Sequence, residues 1–117
     1  MTKPFFREKS PIIACTVSGA TYILYTCPSN CVARVPLVFI TNANGNVSVT
    51  FKIYKASTAT SYFVIGGKNM SQGEFIQLSD NTGLILEAGD RLEVIPTGST
   101  VVVDALCTVI EQFKPVG

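Results

Sequence analysis

The chain has 117 residues, 47% of them hydrophobic and 15% charged, with a net charge of +1. That length holds one domain able to bury roughly two-thirds of its surface on folding, with no disulfide or metal needed as a staple. A nearly neutral chain has no bulk electrostatic pull toward nucleic acid or an anionic membrane, and so low a charged fraction leaves apolar surface that another subunit could cover.

The opening Lys3-Pro4-Phe5-Phe6-Arg7-Glu8-Lys9-Ser10-Pro11 sets charges and two adjacent aromatics between prolines. Residues 1–11 are read as an extended N-terminal arm and 12–117 as a single β-domain. Phe5 and Phe6 are costly to leave in water, so they either fold over the open end of their own core or insert into a neighbouring copy or another protein. Ile12-Ile13-Ala14-Cys15 imitates a lipoprotein cleavage box, but the charged residues before it leave no apolar stretch for export. No run reaches the ~18 apolar residues of a membrane span. The chain is expected to be made, and to remain, in soluble form.

Period-two alternation then recurs, with no sustained helical period. Strands are predicted over 12–17, 22–26, 62–65, 75–78, 84–87, 91–95 and 101–110. The clearest alternation is Val47-Ser48-Val49-Thr50-Phe51-Lys52-Ile53-Tyr54, with Val47, Val49, Phe51 and Ile53 on one face. Before it, 31–41 is apolar and β-branched, and the link Asn42-Ala43-Asn44-Gly45-Asn46 carries an Asn-Gly pair that tolerates positive φ. Together these predict a β-hairpin. Pro36 inside the apolar run implies an edge position or a bulge, since proline cannot donate to a ladder. Residues 66–73, 79–83 and 88–90 are rich in turn formers and are predicted as links. The sum is an all-β, antiparallel, jelly-roll-like sandwich of about eight strands behind an extended arm.

Catalytic chemistry finds little material. The chain has no His, which removes the usual general base and any hydrolytic triad. Glu87, Asp90 and Glu93 could pair as carboxylates, but Asp90 follows Gly89 and is better read as turn chemistry. Gly66-Gly67-Lys68 lacks the spacing and the following helix of a phosphate loop. No catalytic, cofactor or metal site is expected. Cys27 and Cys31 enclose Pro28-Ser29-Asn30, with Cys15 and Cys107 far away in sequence, so no second close pair completes a zinc site. Free buried thiols are the expected state in a reducing compartment, with a Cys27–Cys31 disulfide as the alternative.

Charge is unevenly distributed along the chain. Residues 1–73 carry seven Lys and Arg against Glu8, whereas 74–117 carry seven Asp and Glu against Arg91 and Lys114. If the halves fold onto opposite sheets the surface is dipolar; if their strands alternate in one sheet the signs mix.

Between about residues 20 and 111 the chain resembles small β-sandwich virion proteins of tailed bacteriophages. The resemblance is carried by Tyr22-Ile23-Leu24-Tyr25-Thr26-Cys27-Pro28, the apolar strand with its Asn-Gly link, and Leu84-Ile85-Leu86-Glu87-Ala88-Gly89-Asp90-Arg91-Leu92-Glu93-Val94, followed by Gly98-Ser99-Thr100 and Val101-Val102-Val103. A similar Gly-Asp turn occurs in the trimeric jelly rolls of tumour necrosis factor and complement C1q. Cys27 and Cys31 depart from the small polar residues usual at that turn, so no binding residue is transferred. The resemblance implies a structural virion component without nucleic-acid or membrane contacts, most simply a head decoration or cement protein. Its partners would be further copies, a trimer being favoured, and proteins such as the major capsid protein. Tail, neck or fibre attachment, or a receptor- or carbohydrate-binding jelly roll, is the alternative. Interface candidates are Phe5, Phe6, Arg7, Lys68 and Met70.

Overall fold

In the computed structural model, residues 6–114 are described, with only the backbone considered at 80–83. Every regular element among them is a strand: β1 (Phe6–Lys9), β2 (Ile12–Cys15), β3 (Tyr22–Thr26), β4 (Cys31–Asn42), β5 (Val47–Lys55), β6 (Thr60–Met70), β7 (Phe75–Leu86), β8 (Arg91–Thr97) and β9 (Val103–Phe113). One sheet runs β1-β9-β4-β7, with β2 continuing the β1 edge along β9; the other runs β3-β8-β5-β6. All pairings are antiparallel. Strands two to nine are thus shared between two layers as in an eight-stranded jelly roll, and the sandwich expected from the sequence is the fold found.

The layers are held by the inward residues of each strand. Ala33, Val35, Val38 and Ile40 of β4, with Val103, Ala105, Cys107 and Val109 of β9, face Val47, Val49 and Phe51 of β5 and Leu92 and Val94 of β8. Phe51 and Leu92 are fully buried, and each fully buried side chain of this kind contributes roughly 1.5–3 kcal/mol of transfer free energy.

The predicted Asn-Gly hairpin does not form. β4 pairs with β7 and β9, whereas β5 pairs with β6 and β8, so residues 43–46 carry the chain from one sheet to the other. The reason is Asn42, which is buried and donates its amide to the carbonyls of Gly45 (2.7 Å) and Met70 (3.2 Å). Those bonds fix the link as a corner between layers. Gly45 does adopt the left-handed φ of 71°, so the Asn-Gly pair makes a turn but not a ladder. The hairpin that forms is β5–β6, from Lys55↔Thr60 onward.

Other boundaries also move. Residues 66–70, predicted as a link, extend β6, where Lys68 pairs opposite Val49. The two short strands predicted at 75–78 and 84–87 are parts of β7. Pro36 lies at a bulge in β4: β9 steps from Ile110 to Thr108 while β4 steps from Arg34 to Leu37. A bulge is how an interior strand tolerates a missing N–H.

Asp90 does what its turn demands. Its carboxylate accepts the N–H groups of Glu87 and Ala56, both at 2.9 Å, and the Lys55 ammonium at 2.5 Å. Gly89 beside it has φ 85°, and a Cβ there would lie 2.9 Å from that of Ala56. Burial would raise the Asp90 carboxyl, but the Lys55 and backbone hydrogen bonds outweigh it and hold the pKa below the usual carboxylate value.

Candidate assembly surface

Residues directly opposite in a ladder point to the same face, so the registers define what the outer face of the β1/β2-β9-β4-β7 sheet presents. One row across it is Glu8, Ile110, Arg34, Ile85. A second is Ile12, Leu106, Phe39, Gln77. At one end Phe6 lies beside Gln112 and Val32; at the other Ala14, Asp104, Thr41 and Phe75 form the last row. Phe39 and Phe75 meet edge to face at 5.0 Å. Phe6 is 60%, Ile12 67%, Phe75 56% and Ile85 54% exposed. A shallow groove of about 160 Å³ runs between Phe6, Val32, Arg34, Ile85 and Ile110.

An outward sandwich face normally alternates with the core and is polar. This one is mixed: Val32, Leu37 and Phe39 of β4 and Leu106 and Ile110 of β9 face outward among Arg34, Thr41, Asp104, Thr108 and Gln112. Exposed Phe6, Ile12, Phe75 and Ile85 on one face are the kind of apolar surface that protein contacts use.

The arm is fastened on the other side of the same sheet. Glu111 of β9 is fully buried, and its carboxylate accepts hydrogen bonds from the Tyr25 hydroxyl and from Arg7 Nε (2.8 Å), with Lys9 Nζ at 3.5 Å. Arg7 also lies 5.0 Å above the Phe113 ring. Burial alone would raise the Glu111 carboxyl; the Tyr25 and Arg7 hydrogen bonds and the Lys9 charge overcome it and hold the pKa below that of an ordinary glutamate. Burial, then the bond to the Glu111 carboxylate, pushes the Tyr25 phenol up, so it donates as a neutral group. Segment 6–9 is thus a strand locked by basic side chains onto an acid from the other half of the chain. The charge halves interleave, and their signs meet pairwise.

Among the sequence candidates, Phe5 lies outside the described residues. Phe6 belongs to the outer face, while Arg7 points inward to Glu111. Lys68 and Met70 sit on β6 of the opposite sheet, and Met70 is buried in the core. A core side chain offers a partner no surface, so Met70 is corrected from contact to packing residue. Ile12, Phe39, Phe75, Ile85, Leu106 and Ile110 were not singled out. For Phe39, Leu106 and Ile110 the cause is the weak alternation of 31–41 and 101–110, which hides which residues face outward; Ile12, Phe75 and Ile85 stand on other strands, whose place in the sheet is fixed only by the fold.

The four cysteines are free and buried. Burial pushes the Cys15 thiol up to about 11 and that of Cys107 up to about 12, so both are held as unreactive thiols.

No family model and no curated protein matches the sequence. Solved structures with a similar fold include a chain from the disulfide-linked pili of Bacillus endospore appendages, at 14% identity and TM-score 0.61, covering 97% of this chain and 93% of that one. The T13 particle of infectious bursal disease virus contains another, at 10% identity and TM-score 0.57 over 94% of this chain. VP2 of the same virus, in its subviral particle, matches at 9% identity and TM-score 0.58 over 93%. The present chain spans about a third of those viral chains, 32% and 33%. At such identities the likeness shows the fold alone.

Proposed function

We propose that this chain is a structural component of a tailed-phage virion, a head decoration or cement protein that stabilises the shell through repeated subunit contacts. The observation that carries this reading is the group of exposed apolar side chains on the outer face of the β1/β2-β9-β4-β7 sheet, a surface suited to being covered by protein. The sequence blocks that resemble phage virion sandwiches support it, as does a fold also found in viral-particle and pilus chains. Many copies, each held by a modest contact on symmetry-related sites, would give a tight shell by multivalency. The partners are the major capsid protein and further copies of the chain; Phe6 supplies an aromatic anchor at one end of the face. The site is the virion, reached after synthesis in the host cytoplasm.

Localisation tests it. An antibody against the purified chain, applied to intact particles from the lysate that contains it, is expected to label heads. Label on tails, necks or fibres would move the protein to that part of the virion. Absence of the chain from washed particles would overturn the reading.

A further inference from the structure

Resting on the reading that copies of this chain contact one another, we infer that they join by exchanging β1: Phe6–Lys9 of one copy lies along Val109–Gln112 of a second, where its Arg7 and Lys9 complete the Glu111 site. A single chain closes that site with its own strand. In an assembly the same bonds form between copies.

The strand is built to detach. β1 stands at the edge of its sheet, and its one ladder among the described residues is with β9. All four of its residues are exposed, so its departure opens no cavity in the core. The ladder is weakest where β1 joins β2. Pro11 accepts the Cys107 N–H at 3.1 Å but has no N–H to return, so β1 can swing about Ser10-Pro11 while Ile12–Cys15 stays on Val103–Leu106.

The acceptor is in place without the strand. From within the core the Tyr25 hydroxyl holds Glu111 Oε2, which leaves Oε1 toward the place of β1, where Arg7 Nη2 lies 2.6 Å away. The Phe113 ring stands 5.0 Å from the same guanidinium. A buried carboxylate deprived of its cations is costly, so the vacated edge selects a basic strand with its cations at alternate positions, as in Arg7-Glu8-Lys9. Every copy carries that strand, in register with four consecutive residues of β9. A second copy is therefore the occupant whose charges and backbone both match the open edge. Exchange breaks and remakes the same bonds, so concentration sets the balance, and repeated sites on a particle hold copies at high effective concentration. Lys9 and Ile12 stand at most roughly 10 Å apart when the link is fully stretched, so the two sheets meet edge to edge at the Ser10-Pro11 junction.

Disulfide trapping between full-length chains tests this. Glu8 and Ile110 are directly opposite in the β1–β9 ladder, and the four native thiols are buried. Glu8→Cys chains and Ile110→Cys chains are mixed in urea, refolded together at high concentration, checked by circular dichroism and oxidised with glutathione disulfide. A linked pair of unlike chains is expected, about tenfold above the yield from Glu8→Cys mixed with Phe63→Cys, whose thiol lies on the other sheet. The double variant Glu8→Cys/Ile110→Cys, refolded alone and dilute, should close within one chain. Phe6→Cys with Gln112→Cys, another directly opposite pair, answers the same question should Ile110→Cys fail to fold. Linkage between chains no greater than in the Phe63→Cys control, or a double variant that links neither within nor between chains, would overturn the inference. That result with heads still labelled would leave the decoration role standing; absence of the chain from washed particles would remove that role without touching the exchange.

Discussion

The outer faces of the two sheets follow opposite rules. On the β3-β8-β5-β6 sheet, β5 alternates cleanly and its outward side chains are satisfied at home. The Arg91 guanidinium lies 3.9 Å over the Tyr54 ring and 3.3 Å from Glu93, Ser61 donates to Glu93 at 2.9 Å, and the Lys52 ammonium sits 4.7 Å over the exposed Phe63 ring. The other outer face mixes polar groups such as Arg34, Gln77, Asp104 and Thr108 with aliphatic and aromatic side chains, of which Phe6, Ile12, Phe75 and Ile85 are exposed. The first surface keeps its charges paired at home but leaves Phe63 68% exposed, while the second exposes those four.

The sharpest control on that contrast is the core both faces share. Phe51→Ala should cost about 3–5 kcal/mol and be seen as a large drop in the urea midpoint, because it opens a cavity between the layers. Loss of assembly in that variant says nothing about either face.

Removing residues 1–9 is next in size. It strips Arg7 and Lys9 from Glu111 and leaves a buried carboxylate with Tyr25 alone. A loss of about 3 kcal/mol is expected, and Glu111→Gln in the shortened chain should recover part of it. A truncated chain as stable as the original would show that the acid does not depend on the arm.

The same acid sets a pH dependence. Glu111 and Asp90 are both depressed in the folded state, so the unfolded chain takes up protons first as pH falls. Their stabilisation is present above their unfolded values, near 4.5 and 3.8, and is lost as pH drops through the lower folded values. Denaturation midpoints should therefore fall steeply from about pH 5 to pH 3, and less so in Glu111→Gln. An unchanged slope in that variant would count against the latch.

Smallest in stability, yet decisive for the comparison, are paired surface changes. Phe75→Ser and Phe63→Ser should each alter stability by about 0.5 kcal/mol or less. Only Phe75→Ser is expected to reduce self-association by sedimentation; equal effects would erase the distinction between the faces.

The sequence revealed most where one physical signal dominated. Val47 to Tyr54 showed its inner and outer sides because β5 has water on one of them, Pro36 announced a bulge by its missing donor, and Gly89-Asp90 marked a turn by its chemistry. It misled where a signal had two causes. Asn44-Gly45 permits a reversal, but whether the arms then pair depends on Asn42, whose partners Gly45 and Met70 are fixed only by the fold. The outward apolar residues were concealed by the strands that hold them: Phe39, Leu106 and Ile110 stand next to equally apolar core residues, so 31–41 and 101–110 show too weak a period to tell core from surface. Glu111 was visible only as an acid just past the predicted strand 101–110, and its partners Arg7 and Lys9 lie in the opposite half of the chain.

That separation governs timing. The β1 residues pair with Gln112 to Val109, so a segment made early must wait for one made much later. Only β5 and β6, among the described residues, are consecutive strands that pair with each other, and such long loop closures belong to folds that mature in milliseconds to seconds. Phe6 and Ile12 therefore cannot stand beside Ile110 and Leu106 until β9 has left the ribosome, and the sticky patch is absent from every shorter nascent chain.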